Sequence, residues 1–375
     1  MQVPVETGLS KELLERLIAA DERPSGPEEV ELFSVVEEIR GKEVFQRTYH
    51  ALGLPGYVPG KRVMTGLTLV VTASWPYLVN LALWPLPWEI AYRHSAGNLF
   101  ALGAVVICIT TLSVVWFSYG TAMKVGGAMS ELVAVPEERV RLREWLVGGF
   151  DWWKQFVVSL PLAAVGVVLA VIALGDQGGS WSSRILLFLM GAWLGFLTGN
   201  ILYWLLAGAR IPGRLMKCGR LRMAWIDPAS TPAIRDLCRS YAFVAAGLAV
   251  TVLVSEVVAA VYASRQQSEV AADVVVALPV IMVLVALYVG VWPYVMIARL
   301  VRNQIDLILH PMRAQLREPP PDLLTSPGFD ELVKVYQYFG TLRTLPIKTS
   351  ALLQYVAGIA ASLLVFFVQR YLTSD

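Results

Sequence analysis

The chain has 375 residues, of which 56% are hydrophobic and only 16% charged, with a formal net charge of +2. Soluble globular domains carry about 25% charged residues, so this balance excludes an ordinary soluble protein and indicates a multi-pass membrane protein. Three cysteines (Cys108, Cys218 and Cys238) imply no disulfide framework, and with three histidines and no paired Cys and His spacing neither a metal nor another cofactor is expected.

Residues 1–62 carry charge throughout, and no apolar run follows a basic start, so no cleavable signal peptide is expected. SKELLERLIAA from Ser10 and EEVELFSVVEEIR from Glu28 have the spacing of amphipathic helices, the first behind a serine N-cap. The breaker PSGP at 24–27 separates them.

Seven apolar stretches follow, at 64–85, 98–120, 155–174, 185–208, 241–263, 274–297 and 351–368. Each is close to the roughly 20 helical residues needed to cross about 30 Å of hydrocarbon. They predict an all-α, polytopic integral membrane protein with about seven transmembrane helices, a helical cytoplasmic N-terminal segment and helical cytoplasmic loops. The corresponding parts are a cytoplasmic segment at 1–62, helices one to four at 63–208 with a cytoplasmic loop at 121–154, a basic loop at 209–240, helices five and six at 241–298, a cytoplasmic helical segment at 299–350, and the last helix with a short tail at 351–375. That last helix, with Gln354 and the shortest apolar run, is the one that could be re-entrant instead of spanning.

Basic residues fix the expected orientation. Of 31 lysines and arginines, 27 fall before the first span or within 123–154, 210–239 and 299–348, leaving Arg93, Arg184, Arg265 and the tail residue Arg370 elsewhere. The positive-inside rule places the N terminus and the three long loops in the cytoplasm, and an odd number of spans places the C terminus outside. Trp84, Trp88, Trp152, Trp153 and Trp181 mark span borders, where indoles settle at headgroup depth. The external connections are too short for a folded ectodomain, so any large partner is expected in the cytoplasm.

In the fourth span, GAWLGFLTGN repeats glycine every four residues, at Gly191, Gly195 and Gly199, followed by Asn200. That spacing strips one helix face of side chains and lets another helix approach closely, within one subunit or between subunits, while the amide can hydrogen-bond across the contact. Ala357, Gly358, Ala361 and Ser362 repeat the small-residue spacing in the last span, which supports assembly into a homo-oligomer.

The loop RIPGRLMKCGRLRMAWIDP concentrates Arg210, Arg214, Lys217, Arg220 and Arg222. It sets topology against anionic headgroups, or Arg214, Lys217, Arg220 and Arg222 receive an anionic cytoplasmic ligand such as a nucleotide, an oligonucleotide or a lipid headgroup.

In the fifth span Glu256 interrupts VTVLVSEVVAAVY, where a carboxylate near mid-bilayer costs roughly 2.5–3.5 kcal/mol. It either lines an ion path, with Asn80 at similar depth in the first span, or is hydrogen-bonded between helices. The sixth span contains Pro279, Gly290 and Pro293 and continues without a stop into VRNQIDLILHPMRAQL, where Val301, Ile305, Ile308 and Met312 make an apolar stripe. This predicts a bent helix leaving the membrane as a hinge and lever, or a static kink whose stripe packs on its own subunit. Candidate pore or ion-path residues are therefore Glu256, Asn80, Asn200, Gly290 and Pro293.

No HExxH, Walker-type glycine loop or pair of intramembrane aspartates is present, so the chain is not read as an enzyme. Three classes remain: an oligomeric channel or pore gated by a cytoplasmic signal, which is the preferred reading, a secondary transporter of a small solute, and a non-conducting scaffold that recruits a cytoplasmic regulatory protein. No internal repeat favours the transporter. The layout over the whole chain resembles multi-pass membrane effectors of bacterial stress or anti-phage defence systems, a likeness of organisation that transfers no site residues. Arginine outnumbers lysine 23 to 8, which favours a GC-rich bacterial source and hence a bacterial plasma (inner) membrane.

Overall fold

The computed structural model describes residues 38, 47, 62–83, 103, 105–114, 125–126, 128–174, 181–219, 221–224, 227–263, 269–317, 328–342, 344–345 and 349–373. The two amphipathic patterns of the N-terminal segment lie outside the described residues apart from Glu38. Glu38 and Arg47 nonetheless make contacts: Arg143 donates to the Glu38 carboxylate at 3.2 Å, and the Arg47 guanidinium lies 5.5 Å from the Trp152 ring centroid.

The described residues are 91% helical and hold no strand; the rest are turns, short connections and one isolated bridge between Val133 and Leu221. In chain order the helices are α1 (Arg62–Leu83), α2 (Val105–Val114), α3 (Pro136–Gly149), α4 (Trp152–Leu174), α5 (Trp181–Ala209), α6 (Ile211–Leu215), α7 (Pro232–Ala263), α8 (Glu269–Arg317), α9 (Gly328–Thr341) and α10 (Thr349–Thr373). Four helical stretches are long and apolar enough to cross a membrane: Pro136–Ile172, Phe188–Leu215, Pro232–Ala260 and Val280–Leu307. In α1, Thr65, Thr68, Thr72, Ser74 and Pro76 dilute an otherwise apolar helix. Thr72 and Ser74 return their hydroxyls to the carbonyls one turn back, at 2.6 Å each, the usual way for such residues to sit in apolar surroundings.

Helices α4 and α5 make the most extensive helix contact, and the glycine seam is the reason. They run antiparallel, and a Cβ at Gly195 would meet the backbone of Leu162 and Ala163, one at Gly199 would meet Ser159 Cα at 2.7 Å, and one at Gly191 would meet Ala170 Cβ at 2.8 Å. Gly166 on α4 faces Gly191 and Gly195, so the seam is two-sided. The other small-residue face lies differently: Ala357, Gly358 and Ala361 of α10 are exposed, and nothing lies within 4 Å of a Cβ built at Gly358.

The largest hydrophobic core lies beyond the bundle, where the long loops meet the helix ends. It joins Met129, Leu132 and Val133 to Leu142 and Leu146 of α3, Leu215 of α6, Ile234 and Leu237 of α7, Val301, Ile305 and Leu309 of α8, and Phe339 of α9. The apolar stripe on the extension of α8 is therefore packed within the chain, along the row 301, 305 and 309. The Ile308 side chain lies outside the described residues. A smaller core of Leu248, Val252, Val283, Ala286, Val289 and Ile359 holds α7, α8 and α10 together within the bundle.

Gly195→Leu is expected to abolish a monodisperse, folded product, because the obstacle is backbone and cannot rotate away, and overpacking costs about 1–3 kcal/mol even where side chains can yield. Gly208→Ala is the control, since nothing lies within 4 Å of its Cβ position. Size-exclusion profiles and thermal melts in detergent compare the two.

Candidate functional site

Aromatic hydroxyl and indole groups tie the helices at carbonyls. Tyr241 of α7 donates to Gly208 O at 2.8 Å, Tyr294 of α8 to Cys238 O at 3.0 Å, Tyr355 of α10 to Ala286 O at 3.0 Å, and Trp193 of α5 to Thr72 O at 2.5 Å. Tyr203 of α5 donates to Gly149 O. Thr72 O and Gly208 O have proline four residues on, at Pro76 and Pro212, and Gly149 is the last residue of α3, so these rings supply donors where the helix ladder runs out; Cys238 O and Ala286 O lie within helices and accept the hydroxyl on a second lone pair. The sequence reading assigned none of these tyrosines.

The densest polar cluster forms around Gln155, one turn into α4 and fully buried. Its Oε1 accepts from Asn200 Nδ2 and Trp204 Nε1, both at 3.1 Å, while its Nε2 donates to Phe150 O at 2.8 Å. Ser159, one turn on, returns its hydroxyl to Gln155 O at 2.7 Å. Asn200 thus bonds across the glycine contact within the chain. The Phe150 ring stacks at a tilt on Trp204 with centroids 4.6 Å apart, which joins this cluster to the large core. Gln155 was read only as the first residue of a span. The available signal was an amide and a serine one turn apart on α4, facing an asparagine beside the last seam glycine.

Glu256 of α7 is buried, at 7% exposure, and Oε1 accepts a hydrogen bond from Ser362 Oγ of α10 at 3.1 Å. It lies fifteen residues beyond Tyr241, about 22 Å along the helix axis at 1.5 Å per residue, and so well away from the large core that contains Tyr241. The structure does not bring Glu256 and Asn200 together: each is engaged in its own helix pair. Gly290 of α8 is the seat of the Tyr355 ring, since a Cβ there would meet Tyr355 Cε1 and Oη at 2.5 Å. Pro293 is buried beside it, and the Asn80 side chain lies outside the described residues.

The basic loop is folded, not draped. Arg222 N–H donates to Leu132 O at 2.7 Å, Gly219 N–H to Glu138 Oε1 at 2.8 Å, and Ala224 N–H to Thr231 Oγ1 at 3.0 Å. Arg214 lies over Trp145, 5.6 Å from the ring centroid, a cation–π contact that spends its guanidinium face. Lys217 is exposed, Arg222 is half-buried, and Arg220 lies outside the described residues. Burial pushes the Cys218 thiol above its usual range, the Glu138 carboxylate adds to the effect, and Arg214 opposes it.

Two outcomes follow from this geometry. Gln155→Leu removes the shared acceptor; with interhelical hydrogen bonds worth about 0.6–2 kcal/mol each in membranes, the melting temperature is expected to fall by about 5 °C. Adding Asn200→Leu to that variant should cost little more, because both changes remove the same bond. In the basic loop, Glu138→Gln removes a negative charge next to Cys218, so the thiolate fraction rises and alkylation of Cys218 at pH 8 should be faster than in the parent, as followed by peptide mass spectrometry; a rate equal to the parent's would show that the carboxylate does not act on the thiol. Against known proteins, no family model, no curated protein and no solved structure matches this chain, so its functional reading rests on its own residues.

Proposed function

We propose that the chain is an oligomeric channel or pore of about seven spans in a bacterial plasma membrane, N terminus in the cytoplasm, opened by a signal received on its cytoplasmic core. The observation that carries this reading is α8, an unbroken helix of 49 residues. At 1.5 Å per residue it is about 73 Å long, more than twice the roughly 30 Å of a hydrocarbon core. One rod thus joins the bundle core, through Val283, Ala286 and Val289, to the outer core, through Val301, Ile305 and Leu309. A ligand or partner protein that repositions α9 or the folded basic loop acts on the same helix that α7 and α10 grip.

Assembly is supported by the exposed small-residue face of α10, which allows close backbone approach by another helix. Lys217, Arg222 and Arg214 keep positive charge at the loop where an anionic cytoplasmic ligand would act. The organisation resembles that of membrane effectors in bacterial stress and anti-phage defence, which fits a membrane opened only on a signal. The size of the cytoplasmic core favours a second reading, a non-conducting scaffold that displays this core to a partner protein.

Reconstitution separates the two. In the channel reading, the purified chain has the mass of an oligomer in detergent and conducts ions in liposomes once triggered, and Glu256→Gln lowers cation preference, seen as a reversal potential nearer zero across a salt gradient. A monomeric mass, or no flux under any cytoplasmic trigger, rejects the channel. An unchanged reversal potential in assembled, conducting protein leaves Glu256 as the acceptor that joins α7 to α10 and nothing more.

A further inference from the structure

A groove of about 340 Å³ opens between α8 and the segment that enters α10. Val295, Ala298, Leu345 and Leu352 form its apolar floor and walls, and Arg299 and Arg302 stand at its edge. We propose that this groove binds one anionic phospholipid of the bilayer, with its phosphate on Arg299 and Arg302 and an acyl chain along Val295, Ala298 and Leu352. The inference rests on the chain being a membrane protein and not on whether it conducts.

Three observations converge on a lipid. The groove lies where two apolar segments end together: α8 changes from apolar to charged at Arg299, and Leu352 begins the apolar run Leu352–Val368 of α10. A lipid headgroup occupies that depth, whereas a soluble anion has no use for the apolar floor. The two charged residues that line the groove are both arginines and both exposed; Asp306, one turn beyond and outside the lining, pairs with Arg302 at 3.5 Å and with Arg313 at 3.8 Å, which leaves Arg299 and the remaining Arg302 N–H groups for a phosphate. Juxtamembrane arginines attract anionic leaflets, and a guanidinium can pair two of its N–H groups with a phosphate. Finally, α10 starts at Thr349 and Leu352 in its first turn lines the groove, so the positive end of the helix dipole faces the same place.

The site is distinct from the basic loop, where Arg214 lies over Trp145 and the Arg222 backbone N–H bonds Leu132 O. Because Thr344 and Leu345 belong to the connection between α9 and α10, an occupant would bridge the two helices to α8 at the membrane border.

Native mass spectrometry of the full chain, purified in detergent and titrated with phosphatidylglycerol or with phosphatidylcholine of the same acyl chains, tests this. Each arginine contributes about fivefold, so the parent should retain phosphatidylglycerol with about 25-fold preference, and Arg299→Gln with Arg302→Gln should bring the ratio near one. Arg302→Lys keeps the charge and should keep most of the preference. Ala298→Phe fills the floor without touching charge and should lose the bound lipid, which keeps the test decisive if the double variant does not fold. Equal retention of the two lipids by the parent, or an unchanged ratio in the double glutamine variant, overturns the proposal. Displacement of phosphatidylglycerol by inorganic phosphate or glycerophosphate also overturns it, since the groove would then take a soluble anion.

Discussion

The close approach of α4 and α5 is the constraint on which the rest of the bundle depends. In lipid, apolar side chains gain little by leaving one another for hydrocarbon, so two helices stay together through packing that acyl chains cannot reproduce. Four glycines bring the axes together, so that the contact from Gly166 and Gly191 to Ser159 and Gly199 is made largely by backbone, with only the small side chains of Ala170 and Ser159 against it. Gln155 closes the end of this seam. Its amide serves Asn200 and Trp204 of α5 and the Phe150 carbonyl before α4, and so sets not only the distance of the pair but its axial register. A one-turn slip would part both bonds to α5 at once and set glycines against larger side chains.

Register set at this point is carried outward. Phe150 belongs to the large outer core, and Trp204 packs against it. Tyr203 ties α5 to the end of α3, and Tyr241 ties α7 to the end of α5. The folded loops are thus anchored to bundle helices by single polar atoms placed on carbonyls, while apolar contact supplies most of the burial. Such bonds are individually modest, yet directional, which suits them to fix the relative placement of helices that lipid would otherwise leave free to slide.

Much of this was legible in local pattern. Apolar length announced helices at α4, α5, α7 and α8, and glycine spacing announced a close contact on α5. What the sequence leaves open is the partner of each feature, because a 3.6-residue period describes one helix and says nothing of the helix opposite. The seam on α5 and the small residues on α10 look alike in sequence, but one is consumed by α4 and the other is exposed. Glu256 shows the same limit: its isolation among apolar residues was plain, whereas Ser362, 106 positions later, was read only as small. Of the stripe expected on α8, Val301, Ile305 and Met312 pack on the outer core, and Leu309, which the spacing did not single out, joins them. In α1 the threonines, serine and proline weaken the apolar signal that length alone suggested.

Gly290 and Pro293 gain their meaning from where the two cores divide. Val289 is the last α8 residue of the bundle core, and Tyr294 is the first α8 residue of the outer core. Pro293 falls between them and deprives the helix of one N–H, so at this point α8 lacks a backbone hydrogen bond that every neighbouring turn possesses. Tyr355 grips α8 just before the gap, at Ala286 O and against Gly290, and it therefore travels with the bundle side. The Tyr294 hydroxyl grips α7 just after it, at Cys238 O, and Tyr294 and Cys238 both belong to the outer core. Any rotation of one core against the other would then be taken up at the proline, where bending the helix disturbs the fewest bonds. Of the prolines in α8, Pro293 is the one that falls between the two cores, and the helix is held on either side of it by Tyr355 and by Tyr294, so each core keeps its own packing up to a position where the helix has no N–H to give.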